Sequence, residues 1–285
     1  MNSTLKLWTQ LGLGTALAGG LLAACSGGEA GGEAGAEGAT PAPTAAATAG
    51  EGEGGSGEGE AAASGGEGEG GVAVADAASD PIAYGIALAV AEAHVAAAKD
   101  AYAAGKKEAA AEMFAHPVSE VLLDMDPVFT KLGVADVKPL FSAASDAALA
   151  GKSVAEVNAA YDKIIAGLRA AAQKAPKGSA SPAKVSTGVI ADMIERSSAL
   201  YRRLATDAAY EPYLDGYGFA RVAASSFAAS RTAIKAENPE AHARISEALA
   251  LLGKAYPTAT RPAKLPVEAG ALSGASAKVM LAAGN

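Results

Sequence analysis

From residue 80 onward, apolar side chains recur at spacings of three and four, and no stretch alternates Val or Ile with polar residues. That periodicity turns one face of an α-helix toward a core; a half-buried strand needs a repeat of two. Alanine dominates and aromatic residues make up only 5% of the chain, so helices of this composition can pack closely. The expected fold is all-α, a helical bundle of two packed antiparallel units, residues 80–175 and 182–285, related by a weak internal duplication. In each unit a long helix ends in a tyrosine-containing sequence, Ala101-Tyr102 or Leu200-Tyr201, followed by a shorter connection and a second amphipathic helix. A single irregular bundle of about seven helices is the alternative.

The punctuation supports helices throughout. Asp80-Pro81 offers an N-cap with proline in the first turn, and Gly105 closes that helix. Pro117 starts or kinks a helix ending near Met125, and Asp126-Pro127 opens a short turn toward Gly133. A helix over 137–150 ends at Gly151, and Ser153-Val154-Ala155-Glu156 is a capping box leading a helix to Lys174. Pro176 to Ser181 is a polar break. Ser181-Pro182 opens a helix to Ala205, Pro212 one to Ala236, Asn238-Pro239 one to Lys254, and Pro266 the last, to Ala283.

The N-terminus is of another kind. Lys6 precedes a run rich in Leu, Ala and Gly from Leu11 to Ala24, the layout of a secretory signal. The run is shorter than the roughly 20 residues a spanning helix needs. It closes on Leu22-Ala23-Ala24-Cys25, which resembles a bacterial lipobox. The resemblance implies cleavage after residue 24, lipidation of Cys25, and a membrane anchor made of several acyl chains, since one chain binds only reversibly. Ser26 after the cysteine leans toward the periplasmic face of the outer membrane rather than the inner membrane. An uncleaved anchor helix is the alternative, weakened by glycines at 12, 14, 19 and 20. Cys25 is the only cysteine, so acylation removes disulfides and thiol catalysis from the rest of the chain.

Residues 26–75 carry nine Glu, no Lys or Arg, and no large apolar residue before Val72. Such a segment buries too little surface to offset its ordering entropy and is expected to be a disordered tether, grouped with Cys25 as 25–79. A Gly-rich coil of that length spans roughly 40 Å. These glutamates are among the 31 acidic residues of the chain, and Lys6 is among its 23 basic ones, so the remainder is close to neutral. With no basic stripe, nucleic acid is not an expected partner.

Enzyme signatures are missing: there is no glycine-rich phosphate loop after a strand and no G-x-S-x-G elbow, so no enzymatic activity is expected. Three histidines occur, His94, His116 and His242. His242, in a polar first helical turn, reads as a surface residue. His94 lies on the stripe Ala87, Val90, His94, Ala97, Ala101 and points into the bundle. His116, Glu120 and Asp124 are four apart and fall on one helical face. With His94 they would give two nitrogen and two oxygen ligands for iron, zinc or copper. The alternative leaves Glu120 and Asp124 solvated, with His116 capped by Glu120. In the second half Glu195, Tyr201, Tyr213, Asp215 and Tyr217 are the polar candidates, and Tyr213-Leu214-Asp215-Gly216-Tyr217-Gly218-Phe219 also reads as interhelical packing.

Ala93-His94, Ala101 to Gly105, His116 to Glu120, Asp215 to Phe219 and Ala275 to Ala283 together resemble a group of uncharacterised periplasmic helical proteins of alphaproteobacteria, over residues 80 to 285. More distantly, the arrangement is similar to extracytoplasmic helical regions of bacterial iron permeases and to imelysin-like domains. Those domains carry G-x-H-x-x-E; here His116 and Glu120 are four apart. These resemblances imply iron as the metal. The expected function is thus a membrane-anchored envelope lipoprotein whose helical domain binds a ligand, a transition metal ion such as iron. A structural or protein-interaction lipoprotein with an envelope partner is the alternative, and a cell-wall or peptide hydrolase a third.

Overall fold

Pro81 occupies the first turn of helix α1 (Pro81–Ala103), where its missing N–H leaves no bond unmade, and the Asp80 carboxylate accepts the Ile82 N–H at 2.7 Å. The computed structural model describes residues 71–284. The signal-like segment, Cys25 and the spacer as far as residue 70 lie outside the described residues. After α1 come α2 (Lys107–Pro117), a π turn (Val118–Leu122), α3 (Asp126–Leu132), α4 (Lys138–Leu149) and α5 (Val154–Ala172). Beyond the break at 176–181 follow α6 (Pro182–Arg203), α7 (Glu211–Glu237), α8 (Pro239–Ala255) and α9 (Ala269–Gly284). No strand occurs among the described residues, so the all-α bundle holds.

Four helix starts, at Asp80, Ser153, Ser181 and Asn238, carry the side-chain caps their sequences promise. Ser153 and Glu156 form both halves of the capping box. Ser181 Oγ accepts the Lys184 N–H, and Asn238 Oδ1 accepts the Ala241 N–H. Two segments depart from the sequence reading. A strong helix-forming run, Lys107 to His116, forms α2 before Pro117, so Pro117 ends a helix instead of starting one. Proline has no N–H to continue the ladder, and the backbone widens into the π turn, with the Leu123 N–H bonding to the Val118 carbonyl. The chain also joins the fold before residue 80: Val72 and Ala77 are buried. Val72 is the first large apolar residue within the expected tether, and burial becomes worthwhile there.

α1 is the central helix. It packs on α2 and α5 and also on α6 and α7, so both sides of the 176–181 break share one core. By length and composition α1 is apolar enough to cross a membrane, but 67% of its most apolar window is buried inside the bundle. A helix apolar on all sides belongs in a core as readily as in a bilayer.

Two glycines let α7 approach its neighbours. A Cβ on Gly218 would sit 2.3 Å from the Ala93 carbonyl oxygen of α1, and one on Gly216 would sit 2.1 Å from the Tyr256 hydroxyl. The backbone around Gly216 is tied further: Ser197 Oγ donates to its carbonyl, and Tyr256 donates to the Ser197 carbonyl. Tyr210 and Tyr213 donate to the carbonyls of Ala259 and Thr258, while Tyr201 donates to that of Val267. This strap between α8 and α9 explains why α9 starts at Ala269 and not at Pro266. Most tyrosines of the second half therefore hold backbone.

Because the Ala93 carbonyl cannot move without breaking α1, Gly218→Ala should lower stability by about 1–3 kcal/mol in a urea melt. Gly274→Ala, in α9 with nothing within 4 Å of the added atom, should stabilise by about 0.5–1 kcal/mol through helix propensity. Equal effects from the two substitutions would show that the α1–α7 approach is not tight.

Candidate metal centre

α1, the α2–π segment and α7 each bring polar side chains to one level of the bundle. His94 arrives on the stripe Ala87, Val90, His94, Ala97, Ala101, of which no member is more than 4% exposed. Its Nδ1 lies 2.8 Å from the Val90 carbonyl oxygen, one turn back. A carbonyl only accepts, so the hydrogen bond assigns the proton to Nδ1 and leaves Nε2 to face the site. Nε2 meets two carboxylates, Glu120 Oε2 at 3.2 Å and Asp215 Oδ1 at 3.6 Å. A neutral ring would aim a lone pair at two anions, so this position calls for a cation, either a proton or a metal ion.

His116 lies on the other side of Glu120. Its Nδ1 is 3.6 Å from Glu120 Oε1, its Nε2 is 3.7 Å from Glu211 Oε1, and the two imidazole centroids are 6.0 Å apart. Ligand atoms of His94, His116 and Asp215 lie within 4.8 Å of one another. Donors sharing a tetrahedral ion at about 2.0–2.2 Å stand about 3.3–3.6 Å apart, so closing on an ion needs movement of about 1 Å. Two buried atoms in this cluster, His116 Nδ1 and Asp215 Oδ1, have no hydrogen-bond partner among the described residues. An orphaned buried polar atom costs about 1–3 kcal/mol, so each would gain from a polar or ionic partner.

Electrostatics agree with the geometry. Burial would push His94 down, but the Glu120 hydrogen bond and the Asp215 charge outweigh it and hold the imidazole above 6.5. The same hydrogen bond holds Glu120 below its ordinary value against the opposing effect of burial. Burial raises Asp215 to about 6, although the two imidazoles oppose the shift.

Of the four ligands read from the sequence, the fold brings together His94, His116 and Glu120. Asp124 is exposed in the turn after the π segment and makes no side-chain hydrogen bond or ion pair with the cluster among the described residues. Four-residue spacing marks one face only while the helix keeps 3.6 residues per turn; the wider π turn rotates Asp124 away. Asp215, which the sequence placed only among polar candidates, joins these three in the cluster instead. Gly218, one turn along α7, removes the side chain that would keep the two helices apart. The sequence signal for Asp215 was that glycine pair beside it. Tyr217 donates to Asp100 and Glu195 is exposed, so neither belongs to the cluster. His242 is partly exposed and packs on Phe227, with ring centroids 5.2 Å apart.

The cluster opens to a cleft of about 440 Å³, lined also by Arg196, Arg203, Leu200 and Phe219. Phe219 packs edge-on to the His94 ring at 5.7 Å. Fold and site together define a class: an α-helical bundle with a mixed imidazole–carboxylate cluster where three segments meet. The chain matches no known protein family, no curated protein sequence and no solved structure.

Without metal, these shifts give a pH signature. The folded pKa of His94 is raised above 6.5, so its contribution is full below about pH 6.5 and is lost as pH rises through the folded value. Asp215 acts in the same sense: the fold favours its protonated form, a contribution full below its ordinary 3.8 and lost as pH rises from there through about 6. Glu120 acts oppositely and loses its contribution as pH falls below its ordinary 4.5. The metal-free protein should therefore melt at a lower temperature at pH 8.5 than at pH 5.5, and His94→Gln should flatten the difference. Thermal scans at both values check it; equal slopes for both proteins would contradict the assignment.

Proposed function

We propose that this protein is a non-enzymatic, membrane-anchored lipoprotein of the cell envelope whose helical domain binds a transition metal ion. Iron is the first choice, with zinc and copper as alternatives. The observation that carries the reading is the convergence of two imidazoles and two carboxylates, with buried orphan atoms on His116 and Asp215. Mixed nitrogen and oxygen donors on facing helices suit these metals. His94 Nε2, His116 and Asp215 would hold the ion, and Glu120 would be the fourth donor. The Val90 carbonyl would orient the His94 ring, the usual task of an outer hydrogen bond in a metal site. Cys25 would carry the lipid, and the spacer would let the domain reach roughly 40 Å from its membrane.

Calorimetric titration of the full-length chain in detergent with Zn²⁺, and with Fe²⁺ under anaerobic conditions, tests the site. His94→Ala and His116→Ala should each weaken binding at least about tenfold, while Asp124→Ala leaves it unchanged. Equal affinities for wild type and His116→Ala would sink the proposal. Because ligation needs a neutral imidazole, affinity should rise between about pH 6 and pH 8 with proton release. Separately, Cys25→Ser should abolish incorporation of labelled fatty acid and shift the protein from membrane to soluble fractions.

A hydrolase acting on the cell wall or on peptides is the second reading, and one observation favours it. The cleft opens onto the cluster, so a bound ion would keep a face accessible to water and substrate. Digestion assays with the metal-loaded chain on peptidoglycan and casein separate the readings; turnover abolished by His116→Ala would establish the enzyme.

A further inference from the structure

Arg196, Ala199, Leu200 and Arg203 all line the cleft. Their spacing of i, i+3, i+4 and i+7 makes one face of α6, with a guanidinium at each end and an apolar middle. The ends are about 10 Å apart along the helix at 1.5 Å per residue. Arg196 is held in place: its Nε donates to Asp192 at 2.6 Å, an Nη to the Gly71 carbonyl at 2.7 Å, and its guanidinium lies over the Phe219 ring. Arg203 is exposed and forms no ion pair among the described residues. Opposite this face stand Val90 and His94 of α1, and Asp215 and Phe219 of α7.

Asp192 neutralises Arg196, but Arg203 stands at the mouth of the cation site with no ion pair among the described residues. Like charges repel, and a site for a bare cation gains nothing from such an arginine. It fits if an anion lies between ion and arginine. The cleft holds about 440 Å³, enough for a small organic molecule, and Leu200 and Phe219 give a carbon skeleton something to rest on. A zinc ion held by four protein donors can expand to five-coordinate and take an outside oxygen, and an ion that prefers six has room for two.

We infer that the cleft binds a small organic carboxylate that bridges the metal ion and Arg203, so that the cargo is a metal–carboxylate complex. The inference rests on the metal-binding reading and names the second half of the ligand. One carboxylate coordinates the ion at the His94 end. The skeleton lies against Leu200 and Phe219, and a second carboxylate meets the Arg203 guanidinium. Arg guanidinium is the group that matches a carboxylate with two parallel N–H donors.

Glutarate, a dicarboxylate whose chain is too long to close a small chelate ring on one ion, is the probe. It is titrated calorimetrically into full-length chain in detergent, loaded with Zn²⁺ or metal-free, in buffer without other carboxylates or phosphate. Glutarate should bind the zinc-loaded wild type at least about tenfold more tightly than the metal-free protein, and by reciprocity should raise zinc affinity by the same factor. Arg203→Ala should weaken glutarate at least about tenfold while zinc affinity without glutarate stays within about threefold, because an exposed arginine outside the donor set does not hold the ion. Acetate, with one carboxylate, should show no dependence on Arg203. Glutarate binding that ignores Arg203, or equal binding with and without zinc, overturns the inference while leaving the metal site standing. Tighter binding of inorganic phosphate than of glutarate overturns the organic ligand. Failure of zinc itself to bind defeats the metal reading and this inference with it.

Discussion

The hydrogen bond from His94 Nδ1 to the Val90 carbonyl decides the character of the centre of this protein. It ties the buried ring to the turn before it in α1, and so it commits Nε2 to face Glu120 and Asp215. Once that is so, the cluster favours a cation. A proton satisfies it at low pH, and under the metal-binding proposal an ion would do so when the imidazole is neutral and the carboxylates are charged. The ladder of small residues around His94 serves the same end. Ala93 and Ala97 leave room for Gly218 to bring α7 against α1, and a bulkier pair would move Asp215 out of reach.

Much of the bundle exists to hold that approach. Gly216 is fixed through Ser197 and Tyr256, and the strap after α8 is held by tyrosine hydroxyls on backbone carbonyls. Buried tyrosines carry hydroxyls that need partners, and here irregular backbone, which also needs partners, supplies them. Burial raises Tyr213 to about 12, so this hydroxyl stays a donor across the physiological range. The α7 face that carries Asp215 and Phe219 is thereby rigid, while His116 and Asp215 keep partial exposure toward solvent. Rigid support with an accessible side is what a binding centre needs.

The polarity of the cleft adds a second level. Its buried end is rich in carboxylate and imidazole, and its exposed end carries Arg203 on the same face of α6 as Arg196. Opposite charges are thus sorted along one opening, although the folded part as a whole is nearly neutral. Composition averages such sorting away, and only the placement of helix faces around a common space reveals it.

The sequence alone determined the helices and much of the site. Caps at Asp80, Ser153, Ser181 and Asn238 are local, made within four residues, so they are legible before any fold is known. The inward direction of His94 and the pairing of His116 with Glu120 follow from helical spacing and are legible for the same reason. The expected lipid anchor at Cys25 lies outside the described residues, before residue 71. Tertiary structure decided the rest. The α2 helix and its π turn depended on whether Pro117 would end a helix or begin one, a choice between two permitted positions that packing settles, and with it went Asp124. Asp215 lies 121 positions from His94 in the chain, and nothing local links them. Their meeting depends on a glycine opposite a carbonyl, a contact between distant segments that no periodicity encodes.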